Sequence, residues 1–104
     1  MNMSGQESSN TIKMSARDVD EMYRWSTIHG INPTLRLVPN ASNIIQVDNP
    51  TDTKHELVIE SSDIELASSG DIGAASSGQL MFKPVMNGTF EYHCEYHPDT
   101  MKGT

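Results

Sequence analysis

The sequence predicts an all-β domain, a sandwich or small barrel built mainly from short antiparallel strands. Apolar residues recur at every second position in brief runs, as half-buried strands require. Clusters of Asp, Asn, Pro, Ser and Gly separate those runs. No stretch sustains a helical period over three turns, and about seven short strands in a chain of this size suit a sandwich or barrel.

Residues 1–10, MNMSGQESSN, are expected to form a flexible polar leader, with the folded domain spanning 11–104. The leader has no basic start and no apolar run of about 7–15 residues, so it does not resemble a signal peptide. Ile12 and Met14 open the first alternating run; Tyr23 with Trp25 and Leu35 with Leu37 follow. Ile45 and Val47 form the next strand, ended by the turn residues Asp48-Asn49-Pro50-Thr51-Asp52. His55, Leu57 and Ile59 then share one strand face. Ser61 to Gly78, rich in Ser, Gly, Ala and Asp, is expected to be loop with one helical turn at Asp63–Leu66. Leu80 and Phe82 mark another strand, and Asn87-Gly88 signals a hairpin before Phe90, Tyr92 and Cys94. Lys102-Gly103-Thr104 shows no alternating apolar pattern, so either the domain needs no further strand or its final C-terminal strand is truncated. Met1, Met3, Met14, Met22, Met81 and Met86 read as leader, strand core or strand edge.

Composition excludes several functions. The 104 residues hold 7 Lys+Arg against 14 Asp+Glu, a formal charge of -7, which leaves no basic face for nucleic acid. No segment approaches the roughly 20 apolar residues of a membrane-spanning helix. One cysteine excludes an intrachain disulfide, a Cys-rich zinc knuckle and an iron–sulfur cluster.

That cysteine stands in the chemically densest run of the chain. Cys94, His97 and Met101 are spaced as C-x2-H-x3-M, placing a thiolate, an imidazole and a thioether within one short loop. His55 lies upstream, beside a turn. Two imidazoles, a thiolate and a weak thioether meet the needs of a mononuclear copper site that exchanges electrons: sulfur holds Cu(I), and imidazole suits both oxidation states. An inward Cys by itself reads as a small buried hydrophobe; the combination outweighs that reading. Zinc is less suited, because structural zinc takes more thiolates and has no use for Met. The alternation points Cys94 inward with Phe90 and Tyr92, Pro98 stiffens the loop, and His55 approaches from the inner face shared with Leu57 and Ile59.

The segments NPTDTKHELVIE and GTFEYHCEYHPDTMKGT resemble the two halves of the ligand set of the cupredoxins, single-domain type 1 or blue copper proteins. The resemblance covers Met22 to Thr104 and implies an eight-stranded Greek-key β-sandwich. It implies His55, Cys94, His97 and Met101 as ligands to one copper per chain, with His97 the exposed imidazole and Met101 the axial thioether. Lys54 would stand where a backbone carbonyl approaches copper in some members. The three residues between His97 and Met101 differ in number from the plastocyanin-like and amicyanin-like loops.

The implied function is one-electron transport between redox partners rather than enzymatic turnover. The expected partner is a basic redox protein, a cytochrome or terminal oxidase, steered by acids such as Asp18, Asp20 and Glu21; solubility alone also explains those acids. The resemblance places the protein in the periplasm or outside the cell, with a membrane tether beyond this sequence. Two other functions stay open: extracytoplasmic copper delivery, and nitric oxide or nitrite chemistry at an open copper. The last draws on His93, which precedes Cys94 as a catalytic-copper histidine does in copper nitrite reductases. Glu60 stands where that pattern has its second histidine. His93 and Glu60 read as a surface ion pair or a solvated pair rather than a vestigial or alternative metal site, because the enzyme resemblance also implies two domains and a trimer.

Overall fold

The computed structural model describes residues 9–85 and 88–104. It contains nine strands and no helix among those residues: β1 (Ser9–Val19), β2 (Met22–Thr27), β3 (Gly30–Ile31), β4 (Ser42–Asn49), β5 (Leu57–Ser61), β6 (Ile64–Ser68), β7 (Ser76–Phe82), β8 (Glu91–Cys94) and β9 (Lys102–Gly103). One sheet has the order β3-β2-β1-β4-β7 and the other β6-β5-β8-β9. The two sheets form the expected all-β sandwich. Pairing is antiparallel except between β1 and β4, which run parallel with Ile12 opposite Ile45 and Met14 opposite Val47. No helix among the described residues is long and apolar enough to cross a membrane.

The period-two pattern explains which side chains meet between the sheets. Met14 and Ala16 of β1, Ile45 and Val47 of β4, Leu80 of β7, Leu57 and Ile59 of β5, and Tyr92 and Cys94 of β8 are buried in one cluster with Trp25, Ile72 and Met101. The copper-type residues thus grow from the end of the same core that stabilises the sandwich. Asn43, fully buried on β4, shapes the preceding loop: its amide accepts from Val38 N–H and donates to the carbonyls of Val38, Ala41 and Phe82.

Several local expectations change. Ser9 and Asn10, assigned to the leader, are the first residues of β1 and pair with Ser42 and Asn43; residues 1–8 lie outside the described residues. Leu35 and Leu37 are not in a strand, although Leu35 packs against the core. The expected loop from Ser61 to Gly78 instead contains β6 and the start of β7, and Asp63–Leu66 is not helical. A tight turn at Ser62-Asp63, with φ of 52° and 66°, connects β5 to β6 and sets Ser61 opposite Ile64. The same turn geometry occurs at Asp20-Glu21, with φ of 53° and 67°, between β1 and β2. Phe90 precedes β8, and the Asn87 half of the hairpin signal lies outside the described residues, as do Met1, Met3 and Met86. The segment after Met101 does form a strand: β9 pairs Lys102 with His93 and Gly103 with Tyr92.

Candidate metal centre

Cys94 ends β8 opposite Leu57 of β5, a register that aims its side chain into the core. The chain then makes a compact loop. His97 N–H donates to the carbonyl of Cys94 at 3.2 Å, and Met101 N–H donates to that of His97 at 3.0 Å. The return closes when Cys94 N–H donates to the carbonyl of Met101 at 2.8 Å. C-x2-H-x3-M is therefore the length of one hydrogen-bonded excursion that returns Met101 beside Cys94. His55 is held just ahead of β5 by a bridge to Ile72, with N–H···O distances of 3.0 and 2.7 Å in the two directions.

These elements bring His55, Cys94, His97 and Met101 together as a copper site. Nδ1 of His55 lies 3.8 Å from the Cys94 sulfur, and Nδ1 of His97 lies 3.6 Å from it. The ligand atoms of His55, Cys94 and His97 all fall within 4.8 Å of one another. A first-row divalent ion sits about 2.0–2.3 Å from imidazole nitrogen and thiolate sulfur. At trigonal angles those bonds separate sulfur from nitrogen by about 3.8 Å, so the observed spacing fits an ion at the centre of the triangle. Soft thiolate beside two imidazoles is a donor set for copper. His55, Cys94 and Met101 are fully buried, whereas His97 is half-buried and is the ligand nearest solvent.

Electrostatics support the same use. Burial, reinforced by the nearby His97, lowers the pKa of His55 to about 4, so its imidazole is neutral and free to donate at neutral pH. Its Nε2 lies 2.9 Å from the Thr51 hydroxyl, leaving Nδ1 on the side of Cys94. Tyr23 packs against both imidazoles, its ring centroid 5.0 Å from that of His55 and 4.9 Å from that of His97. The Tyr23 hydroxyl is tied to Asp52 and Thr53, at 3.1 and 2.9 Å.

The ligand loop is braced from outside at two points. The Tyr96 hydroxyl donates to Asp71, and Lys54 lies 4.7 Å over the Tyr96 ring and 3.8 Å from Asp71. The hydrogen bond between Tyr96 and Asp71 lowers the Asp71 pKa and raises that of Tyr96, while Tyr96 and then Asp71 raise that of Lys54. At the other end of the loop the Thr100 carbonyl accepts from Asn32 and from Arg24.

His93 faces away from the centre. Its Nδ1 lies 3.1 Å from Glu60, and its Nε2 lies 3.5 Å from Glu95. The Glu60 contact is close enough for an ion pair but is not aligned as a hydrogen bond. Among the described residues, the three-donor convergence is that of His55, Cys94 and His97, and His93 takes no part in it.

Motif spacing carries no signal for Thr51, Asn49, Tyr23, Asn32 or Arg24 as parts of the site. Thr51 and Asn49 carry a local signal, since both lie in the turn just before His55, but there they read only as turn formers. Asn32 meets Thr100 across 68 positions, a contact with no local signature.

Among solved structures, the fold is similar to auracyanin A, a "blue" copper protein of the green thermophilic photosynthetic bacterium Chloroflexus aurantiacus. The TM-score is 0.71 at 13% identity, covering 92% of this chain and 96% of that one. Reduced rusticyanin aligns with TM-score 0.70 at 16% identity, covering 91% of this chain and 74% of that one. Auracyanin B aligns with TM-score 0.67 at 18% identity, covering 97% and 89% of the two chains. At these identities the likeness is one of fold. No curated protein matches the chain in sequence. The cupredoxin-like domain family matches residues 6–104, a span that includes both ligand-bearing segments, and the chain belongs to that family.

Proposed function

We propose that the protein is a one-electron carrier in which His55, Cys94, His97 and Met101 hold a single copper ion. The observation that carries this reading is the convergence of two imidazole nitrogens on a buried thiolate, at 3.8 and 3.6 Å, with one imidazole half-buried and so partly open to solvent. Copper bound there supplies a couple between Cu(II) and Cu(I). The protein residues keep the site dry, hold the donors in one arrangement and offer an exit through His97. Bracing of the loop through Tyr96 and Thr100 favours little rearrangement between oxidation states. It also favours a carrier over a copper-delivery protein, whose ligands must let go readily.

The test is the visible and EPR spectrum of the copper-loaded chain, with its voltammetry. An intense thiolate charge-transfer band lost in Cys94→Ser, together with a reversible one-electron wave, is expected. Fast copper transfer to a metal-free acceptor would instead favour delivery, and turnover of nitrite or nitric oxide would favour an enzyme. The charge of -7 supports a basic redox protein as partner, with no role for nucleic acid. Association with a cationic partner should slow with added salt, and a salt-independent rate would remove the steering argument. Family membership supports a periplasmic or extracellular setting; fractionation of the native protein tests it.

A further inference from the structure

Hydrogen-bond accounting around His55 fixes where its proton sits. The Asn49 side chain, fully buried, donates through Nδ2 to the carbonyls of Thr53, Ile72 and Gly73 at 2.8, 3.0 and 3.0 Å. Its Oδ1 accepts the Thr51 N–H at 3.0 Å. Rotating the amide by half a turn would set its oxygen against three carbonyl oxygens and its nitrogen against an N–H, so the orientation is determined. Oδ1 of Asn49 also lies 2.6 Å from the Thr51 hydroxyl oxygen. An oxygen pair that close needs a proton between them, and only Thr51 has one to give.

With its single proton directed to Asn49, the Thr51 hydroxyl can meet His55 Nε2 at 2.9 Å only as an acceptor. The other nearby acceptor, the Thr53 carbonyl at 3.1 Å, leads to the same result, because the proton again points away from His55. Nε2 therefore carries the hydrogen, and Nδ1, facing Cys94, has a free lone pair.

We propose that Thr51, oriented by Asn49, is the positioning residue that holds His55 as its Nε2–H tautomer and so presents Nδ1 to the metal. The tautomer assignment concerns the metal-free chain; only its use rests on the copper reading above. A hydroxyl backed by a buried amide does for this ligand what second-layer carboxylates do for other metal-binding histidines, whose removal costs about 10–100-fold in metal affinity.

The experiment is histidine 15N NMR of the metal-free full chain at neutral pH. His55 in the native sequence should show a protonated Nε2 and an unprotonated Nδ1; the opposite pattern overturns the proposal without need of a variant. Thr51→Val keeps the shape but removes the hydroxyl, and Nδ1–H should then appear. Thr51→Ser should restore the native pattern. An unchanged tautomer in folded Thr51→Val overturns the role of Thr51. Cu(II) titration of the same samples should show affinity lowered about 10–100-fold in Thr51→Val and recovered in Thr51→Ser. A shifted tautomer with unchanged copper affinity upholds the Thr51 assignment and overturns His55 as a copper donor, which separates the two readings.

Discussion

The side-chain amide of Asn32 donates to the carbonyl of Thr100 at 2.8 Å, joining the turn after β3 to the residue before Met101. The same side chain accepts Trp25 N–H at 2.9 Å, and its backbone N–H donates to the Trp25 carbonyl at 2.7 Å. Asn32 thus fastens the ligand loop to the rigid five-stranded sheet. Its φ of 44° explains why Asn suits the position, since Asn tolerates the left-handed region better than most residues.

Asn32→Asp tests this strut. The acceptor for Trp25 N–H survives, but the donor to Thr100 becomes an oxygen facing an oxygen. Stability should fall by about 1–3 kcal/mol, with Arg24 retaining its own bond to Thr100. The Cys94 amide, which donates to Met101, should then exchange hydrogen faster than in the native chain. Unchanged protection at Cys94 would mean that the strut does not hold the loop.

The Asn32 contact also shows where sequence reasoning stops. Cys94, His97 and Met101 are legible because one short loop carries all three, and His55 because it shares an alternating face with Leu57 and Ile59. Hairpin β5–β6 is not, because its turn places Ser62 and Asp63 at positive φ without Gly, and Ile64 and Leu66 on β6 stay exposed. Strand β9 is two residues long, too short for any period, and is defined only by its pairing to β8. The parallel pairing of β1 with β4 joins distant segments that alternation alone cannot match. Local pattern encodes the strands and the ligand loop; the braces depend on which strands become neighbours.

Burial of His55 has a consequence for acid stability of the metal-free chain. Its pKa is 6.5 when unfolded and about 4 when folded, so between those values the unfolded state binds more protons. Stability is complete above about pH 6.5, declines as pH falls through this window and levels off below about 4. The loss amounts to about 3 kcal/mol at most. Urea midpoints of the metal-free protein at pH 7 and 4.5 should differ more than those of His55→Asn, in which this contribution is absent. Equal differences in the two chains would show that His55 titrates normally in the fold.

Tyr23 supplies two separable effects. Its ring packs against both imidazoles, while among the described residues its hydroxyl bonds to Asp52 and Thr53 alone. Tyr23→Phe should cost about 1 kcal/mol from the lost hydrogen bonds and leave copper retention unchanged. Tyr23→Ala opens the ligand rings to water; it should cost about 2 kcal/mol, less than the 3–5 of a fully buried aromatic, and speed copper loss to a chelator. Identical chelation rates in the Phe and Ala variants would remove the shielding role.

Gly103 is required by the close approach of β9 to β8. A Cβ there would overlap Cζ, Cε2 and the hydroxyl oxygen of Tyr92. Tyr92 has little freedom to withdraw: it is almost fully buried, and its hydroxyl donates to the Pro33 carbonyl. Burial also raises its pKa above the ordinary tyrosine value, so the donor proton is kept. Gly103→Ala should therefore lower stability by about 1–3 kcal/mol through overpacking. Tyr92→Phe removes one of the clashing atoms and releases the ring from Pro33, at a cost of about 1 kcal/mol for the hydrogen bond. The double variant should then lose less than the sum of the two single losses, because the second change relieves the strain that the first introduces. Strictly additive losses in denaturant unfolding would show that Gly103 is not needed for the space beside Tyr92.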